Sequence, residues 1–200
     1  MTQQQPTQPQ VPEQQQVPAT TVISFYLAMV LVAVIWAGFT EPGLALLVRA
    51  PVSRAVPWWA AGLGAGLGLV VVTAALEPLM PSLKRLSVEI AQIIAPITPP
   101  RIVVLALTSG IAEEMLFRGP VQHSLGYVIT SVIFALLHGG VSQRYIAWST
   151  FALLAGLLFG LLAESYQSVW PCVIAHVVVN GINLARLARV LPTAGDGEPQ

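Results

Sequence analysis

Charged residues are scarce in this sequence: they make up 9% of the 200 residues, whereas 55% are hydrophobic. Soluble domains carry about 25% charged residues, so this deficit excludes an ordinary soluble globule and indicates an all-α, polytopic membrane protein. The formal net charge is zero, which excludes the basic surface that nucleic acid requires and predicts no nucleic-acid partner. Cys172 is the only cysteine, which excludes an intrachain disulfide and a cysteine metal cage.

Aspartate is nearly absent, and this narrows the chemistry that the chain can perform. The one aspartate, Asp196, lies in the polar C-terminal tail. Aspartyl intramembrane proteases need two aspartates within the membrane, so that class is excluded. A rhomboid-type serine protease needs a Gly-x-Ser motif, and Ser109 lacks the glycine two residues before it. The zinc-binding pattern His-Glu-x-x-His does not occur.

The two ends of the chain differ in composition from the rest. Residues 1–20 are rich in Gln and Pro and have no apolar period, which predicts a disordered tail. This tract lacks the charged start of a signal peptide, so the apolar run that follows is predicted to be a retained span. Residues 191–200 predict a second polar tail, and residues 21–190 a single membrane-embedded helical domain.

Apolar runs of about 20 residues predict membrane-spanning helices. Six runs are candidates: Thr21–Phe39, Pro57–Leu76, Arg101–Phe117, Gly126–Leu137, Ile146–Ala163 and Val169–Leu187. Gly126–Leu137 is short for a full crossing, so five spans remain the alternative to six. Pro78–Pro100 is interrupted by Lys84, Arg85 and Glu89, which predicts an amphipathic helix at the membrane interface. With six spans, most Lys and Arg residues lie on the side of the termini, which favours both termini in the cytoplasm.

The second apolar run carries small residues at helical spacing. Gly62 and Gly66, and also Gly64 and Gly68, form two interleaved small-xxx-small pairs. Such pairs predict close packing against another helix. A phosphate-binding loop is excluded, because neither a preceding strand nor a matching glycine spacing is present.

Two adjacent glutamates, Glu113 and Glu114, lie inside an apolar run. A charged side chain at the centre of a bilayer helix costs about 2.5–3.5 kcal/mol on insertion scales, so this pair predicts a partner or a function. Glu114 and Arg118 have the favourable i,i+4 spacing for an ion pair, whereas Glu113 points about 100° away around the helix. Two other apolar runs contribute the remaining polar groups: His138, and His176 with Asn180 at helical spacing.

Three motifs in order resemble a known family. They are Glu113-Glu114-x-x-x-Arg118, Phe134-x-x-x-His138 and His176-x-x-x-Asn180. Over about Arg101–Ala188 the chain resembles the CPBP family of CAAX prenyl endopeptidases and bacteriocin-processing enzymes, also described as Abi-like or type II CAAX proteases. The resemblance implies a glutamate-dependent intramembrane endopeptidase. The substrate would be a membrane-associated peptide or protein. The enzyme would be an integral protein of the bacterial cytoplasmic membrane with several spans.

The same resemblance implies roles for the site residues. Glu113 and His138 would activate a water molecule, and His176 and Asn180 would donate hydrogen bonds to the developing oxyanion. The supporting residues would be Glu114, Arg118 and Phe134. A metal version of the mechanism is the alternative, in which zinc would be held by Glu113, His138 and His176 as a His₂Glu set with an open position for water.

Two other functions are compatible with the same residues. The chain could be a non-proteolytic membrane scaffold or bacteriocin-immunity-type protein, in which the polar groups only stabilise contacts between helices. It could also be a small proton-coupled transporter that uses the glutamates as a relay. The transporter hypothesis is disfavoured, because the sequence shows no inverted repeat and no pair of broken helices.

Overall fold

The computed structural model describes residues 18–40, 43–79, 86–87, 89, 91 and 97–189. In these residues all regular secondary structure is helical, which confirms the prediction of an all-α membrane bundle. The first helix begins at Ala19, two residues before the predicted start, and the rest of the N-terminal tail lies outside the described residues. The C-terminal tail and most of the predicted amphipathic helix Pro78–Pro100 also lie outside them, so both stay predictions.

Seven α-helices follow one another in this part of the chain. They are α1 (Ala19–Gly38), α2 (Gly43–Val48), α3 (Trp58–Leu76), α4 (Pro99–Leu116), α5 (Gln122–Gly139), α6 (Ile146–Tyr166) and α7 (Trp170–Ala188). A 3₁₀ turn, Glu77–Leu79, extends α3, and a π-helical turn, Phe117–Val121, joins α4 to α5. Pro99 and Pro171 occupy the first turns of α4 and α7, where a missing N–H breaks no intrahelical hydrogen bond.

The described residues contain five segments, rather than six, that are long and apolar enough to cross a membrane. The predicted spans Arg101–Phe117 and Gly126–Leu137 both lie within one of these five segments, Pro99–Gly139, which is kinked between α4 and α5. This run is not straight. Its backbone leaves helical geometry at Gly119, with ψ −112°, and at Gly126, with φ 77°, a left-handed value that glycine adopts without a steric penalty.

The bend turns α5 back so that its side chains meet those near the C-terminal end of α4. The rings of Phe117 and Phe134 lie 5.1 Å apart, whereas a straight helix would separate these residues by about 25 Å. The side chains of Glu113 and His138, which are still farther apart in sequence, also come within 3.6 Å of each other. The fold-back therefore brings the first two sequence motifs together.

One of the two predicted glycine pairs packs as expected. A Cβ atom added at Gly66 would lie 2.7 Å from the carbonyl oxygen of Ala175 on α7, and one at Gly62 would meet the carbonyl oxygen of Pro171. At Gly64 and Gly68 an added Cβ would have no neighbour within 4 Å among the residues that the structure describes. The close contact between α3 and α7 thus uses Gly62 and Gly66 only.

Helix α4 packs closely against α7 through another glycine. A Cβ atom added at Gly110 would lie 2.7 Å from Val177 Cγ2 and 3.2 Å from the backbone nitrogen of Val177. Ser109 and Asn180 are joined by a hydrogen bond across the same interface. Since increasing residue numbers on α4 face decreasing numbers on α7, the two helices are antiparallel. Their close approach allows short side chains to meet between them.

Ion pairs tie together segments on the side of the molecule where α3 and α7 end. Arg186 donates a hydrogen bond to Glu77, and Arg144 pairs with Glu89 at 2.8 Å. The Glu89 carboxylate raises the pKa of Arg144, chiefly by accepting its hydrogen bond. The Arg144 side chain is 64% exposed, so this pair connects surface segments rather than stabilising the core.

Candidate active site

The adjacent glutamates have different surroundings. Glu114 is completely buried, and its carboxylate accepts hydrogen bonds from Arg118 Nε at 2.9 Å and from His176 Nδ1 at 2.7 Å. The predicted pair between Glu114 and Arg118 is therefore confirmed. His176 lies on α7, so its hydrogen bond to Glu114 connects α7 to α4. The bond from Arg118 connects Glu114 to the next helical turn of the chain.

The two oxygens of the Glu113 carboxylate differ in their hydrogen bonding within the described part of the chain. Its Oε1 accepts a hydrogen bond of 3.3 Å from the hydroxyl of Tyr26 on α1. Its Oε2 is buried and makes no hydrogen bond to any group in the described part of the chain. This oxygen lies 3.6 Å from His138 Nε2 and 3.9 Å from His176 Nε2. Glu113, His138 and His176 therefore converge, although they come from three helices.

The orientation of both imidazole rings follows from their Nδ1 atoms. His138 Nδ1 lies 2.8 Å from the carbonyl oxygen of Phe134, and a carbonyl only accepts, so Nδ1 carries the hydrogen. His176 Nδ1 likewise donates to the Glu114 carboxylate. In the neutral form of each ring, Nε2 is then an acceptor that faces Glu113 Oε2. Three acceptor atoms thus surround one small space.

Aromatic rings hold His138 in this orientation. The His138 ring lies 4.1 Å from the ring of Phe134 and 5.9 Å from that of Trp148, measured between centroids. Phe134 also lies under the guanidinium carbon of Arg118, at 5.3 Å from the ring centroid. Phe134 therefore lies between Arg118 and His138, and its supporting role stays a prediction.

Asn180 lies one helical turn from His176 and contacts a residue other than the glutamates. Its Nδ2 donates to Ser109 Oγ at 2.8 Å, and Ser109 Oγ donates in turn to the carbonyl oxygen of Leu105 at 2.7 Å. Ser109 precedes Glu113 by one turn of α4. The site therefore has two adjacent layers across α4 and α7, one with the glutamates and His176, and the other with Ser109 and Asn180.

Two residues of the site were not identified from the sequence. Ser109 has a signal in the sequence, since it shares a helix face with Glu113 at i,i+4 spacing. Tyr26 has only a weak signal in the sequence, which is a hydroxyl group within the first apolar run. Its contact with Glu113 joins residues far apart in the chain, which no local spacing rule indicates.

The zinc set suggested by the resemblance is not supported by the donor geometry. In the part of the chain that the structure describes, no group of three or more His, Cys, Asp or Glu side chains is spaced to hold a metal ion. The closest candidates are Glu113, His138 and His176. Zinc stays a prediction from the sequence, and no step below depends on it.

Comparison with known proteins agrees with these motifs. Residues 95–182 match the family model described as type II CAAX prenyl endopeptidase Rce1-like. The chain is also 35% identical to the uncharacterized protein YpbD of Bacillus subtilis over 86 residues, which are 42% of this chain and 43% of that protein. No solved structure matches the chain. Residues 95–182 are therefore similar to the Rce1-like family of type II CAAX prenyl endopeptidases, and they lie within an integral membrane protein of several spans.

Proposed function

We propose that the protein is an intramembrane endopeptidase in which Glu113 and His138 activate a water molecule for attack on a peptide bond. The observation that supports this most is the Glu113 Oε2 atom, which is buried, lacks a hydrogen-bond partner among the described residues, and faces Nε2 of two histidines. Separations of 3.6 and 3.9 Å exceed a direct hydrogen bond and suit a bridging water.

In the proposed first step, the water donates one hydrogen bond to Glu113 Oε2 and the other to His138 Nε2. Both atoms are acceptors, so the oxygen lone pair of the water is directed away from them and toward the substrate carbonyl. As the oxygen–carbon bond forms, Glu113 accepts the water proton. Glu113 then passes this proton to the leaving nitrogen as the carbon–nitrogen bond breaks, which yields a carboxylic acid and an amine. General base catalysis of this kind contributes about 10²–10⁴-fold in rate.

His176 and Asn180 are the proposed donors to the tetrahedral oxyanion. Asn180 Nδ2 has two hydrogens and uses one for Ser109, so one remains available. His176 Nε2 can donate only when its ring is protonated on both nitrogens. The fully buried Glu114 carboxylate at Nδ1 provides the counter-charge for that form. Two carboxylates and one guanidinium give the cluster a negative charge, which one imidazolium neutralises. A preorganised oxyanion donor typically contributes about 10²–10³-fold in rate.

Arg118 and Glu114 are proposed to hold this arrangement in place. Arg118 is 1% exposed, and its bond to Glu114 fixes the carboxylate that in turn orients His176. An active site in a water-poor environment depends on such fixed dipoles, because solvent cannot reorganise around the transition state. The ion pair therefore acts on the reaction through His176 rather than by touching the substrate.

The proposed substrate is a membrane-associated peptide or protein. The family description names prenylated CAAX tails, which we propose as the first substrate class to test for this chain. A site that lies between spanning helices can accept a peptide whose lipid tail or apolar segment remains in the bilayer. The proposed location is the bacterial cytoplasmic membrane. Both termini are proposed to lie in the cytoplasm, which requires α4 and α5 each to cross the bilayer.

Peptide hydrolysis by the purified protein in lipid nanodiscs tests this function. The substrates would be a farnesylated CAAX peptide and a library of membrane-protein peptides, with cleavage sites mapped by mass spectrometry. We expect cleavage by the unsubstituted protein and none by Glu113→Gln, since glutamine keeps the shape but cannot accept a proton. Glu164→Gln is the matched control, because Glu164 is an exposed glutamate near the end of α6 and should leave cleavage intact.

Two outcomes would contradict the proposal. Cleavage of neither substrate class by a folded protein would favour the scaffold function instead. Cleavage that survives Glu113→Gln at the original rate would show that another group activates the nucleophile.

A further inference from the structure

Helix α1 lies outside the segment that matches the family, yet it contributes a hydrogen bond to the site. The matched segment is 95–182, and α1 covers Ala19–Gly38. Most of α1 faces outward, as at Phe25 and Leu27, which are 60% and 63% exposed. Tyr26 is different, because it is half-buried and its hydroxyl donates to Glu113 Oε1 at 3.3 Å.

The packing of α1 explains why Tyr26 faces inward. Ala33 and Ala37 are 0% and 1% exposed, and Met29 packs on the core cluster that contains Phe117 and Phe134. Tyr26, Met29, Ala33 and Ala37 recur at spacings of three and four residues, which places them on one face of the helix. The small alanines let α1 approach the bundle closely, and this brings the longer tyrosine side chain to Glu113.

A carboxylate that is held at one oxygen presents the other in a defined direction. Rotation about the terminal bond of a glutamate side chain is broad and roughly two-fold, so an unrestrained Glu113 could present either oxygen at many angles. Tyr26 restrains Oε1, and Oε2 then faces the Nε2 atoms of His138 and His176. A hydrogen bond from α1 to one oxygen therefore restrains the angle at which the other oxygen enters the shared space.

We propose that Tyr26 is a positioning residue, whose phenol holds the Glu113 carboxylate so that Oε2 is directed at the reacting water. This inference rests on the proposed hydrolytic function of Glu113. It extends the site to a helix that the family match does not include. The α1 helix is then part of the catalytic arrangement, in addition to contributing a span of the bundle.

Tyr26→Phe, which removes only the hydroxyl, tests this role. We expect kcat to fall between about 10-fold and 10²-fold, because small misplacements of a catalytic group have effects of this size. KM should change less than about 2-fold, since Tyr26 contacts the base rather than the substrate. Tyr127→Phe is the matched control: Tyr127 is also half-buried, and its hydroxyl makes no hydrogen bond in the described part of the chain.

Two further measurements distinguish a wrong positioning role for Tyr26 from a folding defect and from a wrong assignment of Glu113. The midpoint of unfolding should be the same for Tyr26→Phe and the unsubstituted protein, and adding Tyr26→Phe to Glu113→Gln should cause no further loss of residual activity. An unchanged kcat in Tyr26→Phe, or a fall in kcat that matches a fall in folded protein, would overturn the positioning role. If Glu113→Gln retains full activity, Glu113 is not the base, and the proposed mechanism fails independently of the result for Tyr26→Phe.

Discussion

Replacing Arg118 by Met should destabilise the fold strongly, because it leaves the buried Glu114 carboxylate without its counter-charge. Both side chains of this pair are 0% exposed, and Nε lies 2.9 Å from Oε2. At this separation and an effective dielectric constant of 20, the Coulomb attraction is about 6 kcal/mol before desolvation is counted. Removing one partner of a buried pair typically costs about 3–5 kcal/mol. His176 still donates to Glu114, so we expect a loss near the lower end, about 3 kcal/mol.

Equilibrium unfolding in mixed micelles of increasing SDS content, followed by tryptophan fluorescence, measures this loss. Arg144→Met is the matched control, because Arg144 pairs with Glu89 on an exposed surface and should lose far less stability. The double variant Glu114→Gln with Arg118→Met removes both charges and should be more stable than Arg118→Met alone. Equal unfolding midpoints for Arg118→Met and Arg144→Met would refute the reasoning, since they would show that the buried carboxylate does not need this partner.

Two further predictions concern the contacts of α7. Gly66→Ala should destabilise the fold by about 1–3 kcal/mol, because the added Cβ overlaps the carbonyl oxygen of Ala175, whereas Gly64→Ala has open space and should be neutral or slightly stabilising. Equal unfolding midpoints for the two variants would contradict the proposed helix contact. Asn180→Ala should lower kcat by about 10²–10³-fold with little change in KM. Ser109→Ala removes the acceptor of the Asn180 bond and the bond to the Leu105 carbonyl but keeps Asn180, so it should have a smaller effect. A loss confined to KM would argue against an oxyanion role.

The sequence was most informative where the relevant contacts are local. The pair between Glu114 and Arg118 is confirmed, because the backbone stays helical from the end of α4 into the π-helical turn and so brings i,i+4 side chains together. The apolar composition likewise indicated a helical membrane bundle. The span count differed, because two predicted runs lie within the one segment Pro99–Gly139. The bend inside this segment was also not predicted, since it depends on a left-handed backbone conformation at Gly126 that the sequence pattern does not reveal.

Contacts between distant helices could not be read from spacing. The family resemblance implied that His176 is an oxyanion donor. The hydrogen bond from its Nδ1 to Glu114 was not predicted, because it depends on how α7 packs against α4. Tyr26 reaches Glu113 only because Ala33 and Ala37 allow α1 to pack closely. Such contacts depend on the packing between helices, which the spacing of residues in one sequence does not reveal.

The most direct test of the proposed mechanism is the kcat of Glu113→Gln on one mapped peptide, measured beside the unsubstituted protein in the same nanodiscs. Glutamine keeps the volume of the side chain and can still accept the hydrogen bond from Tyr26, but it cannot take a proton from water. We predict a fall in kcat of about 10²–10⁴-fold, with KM and the unfolding midpoint unchanged. A kcat within about 2-fold of the original value would contradict the assignment of Glu113 as the base.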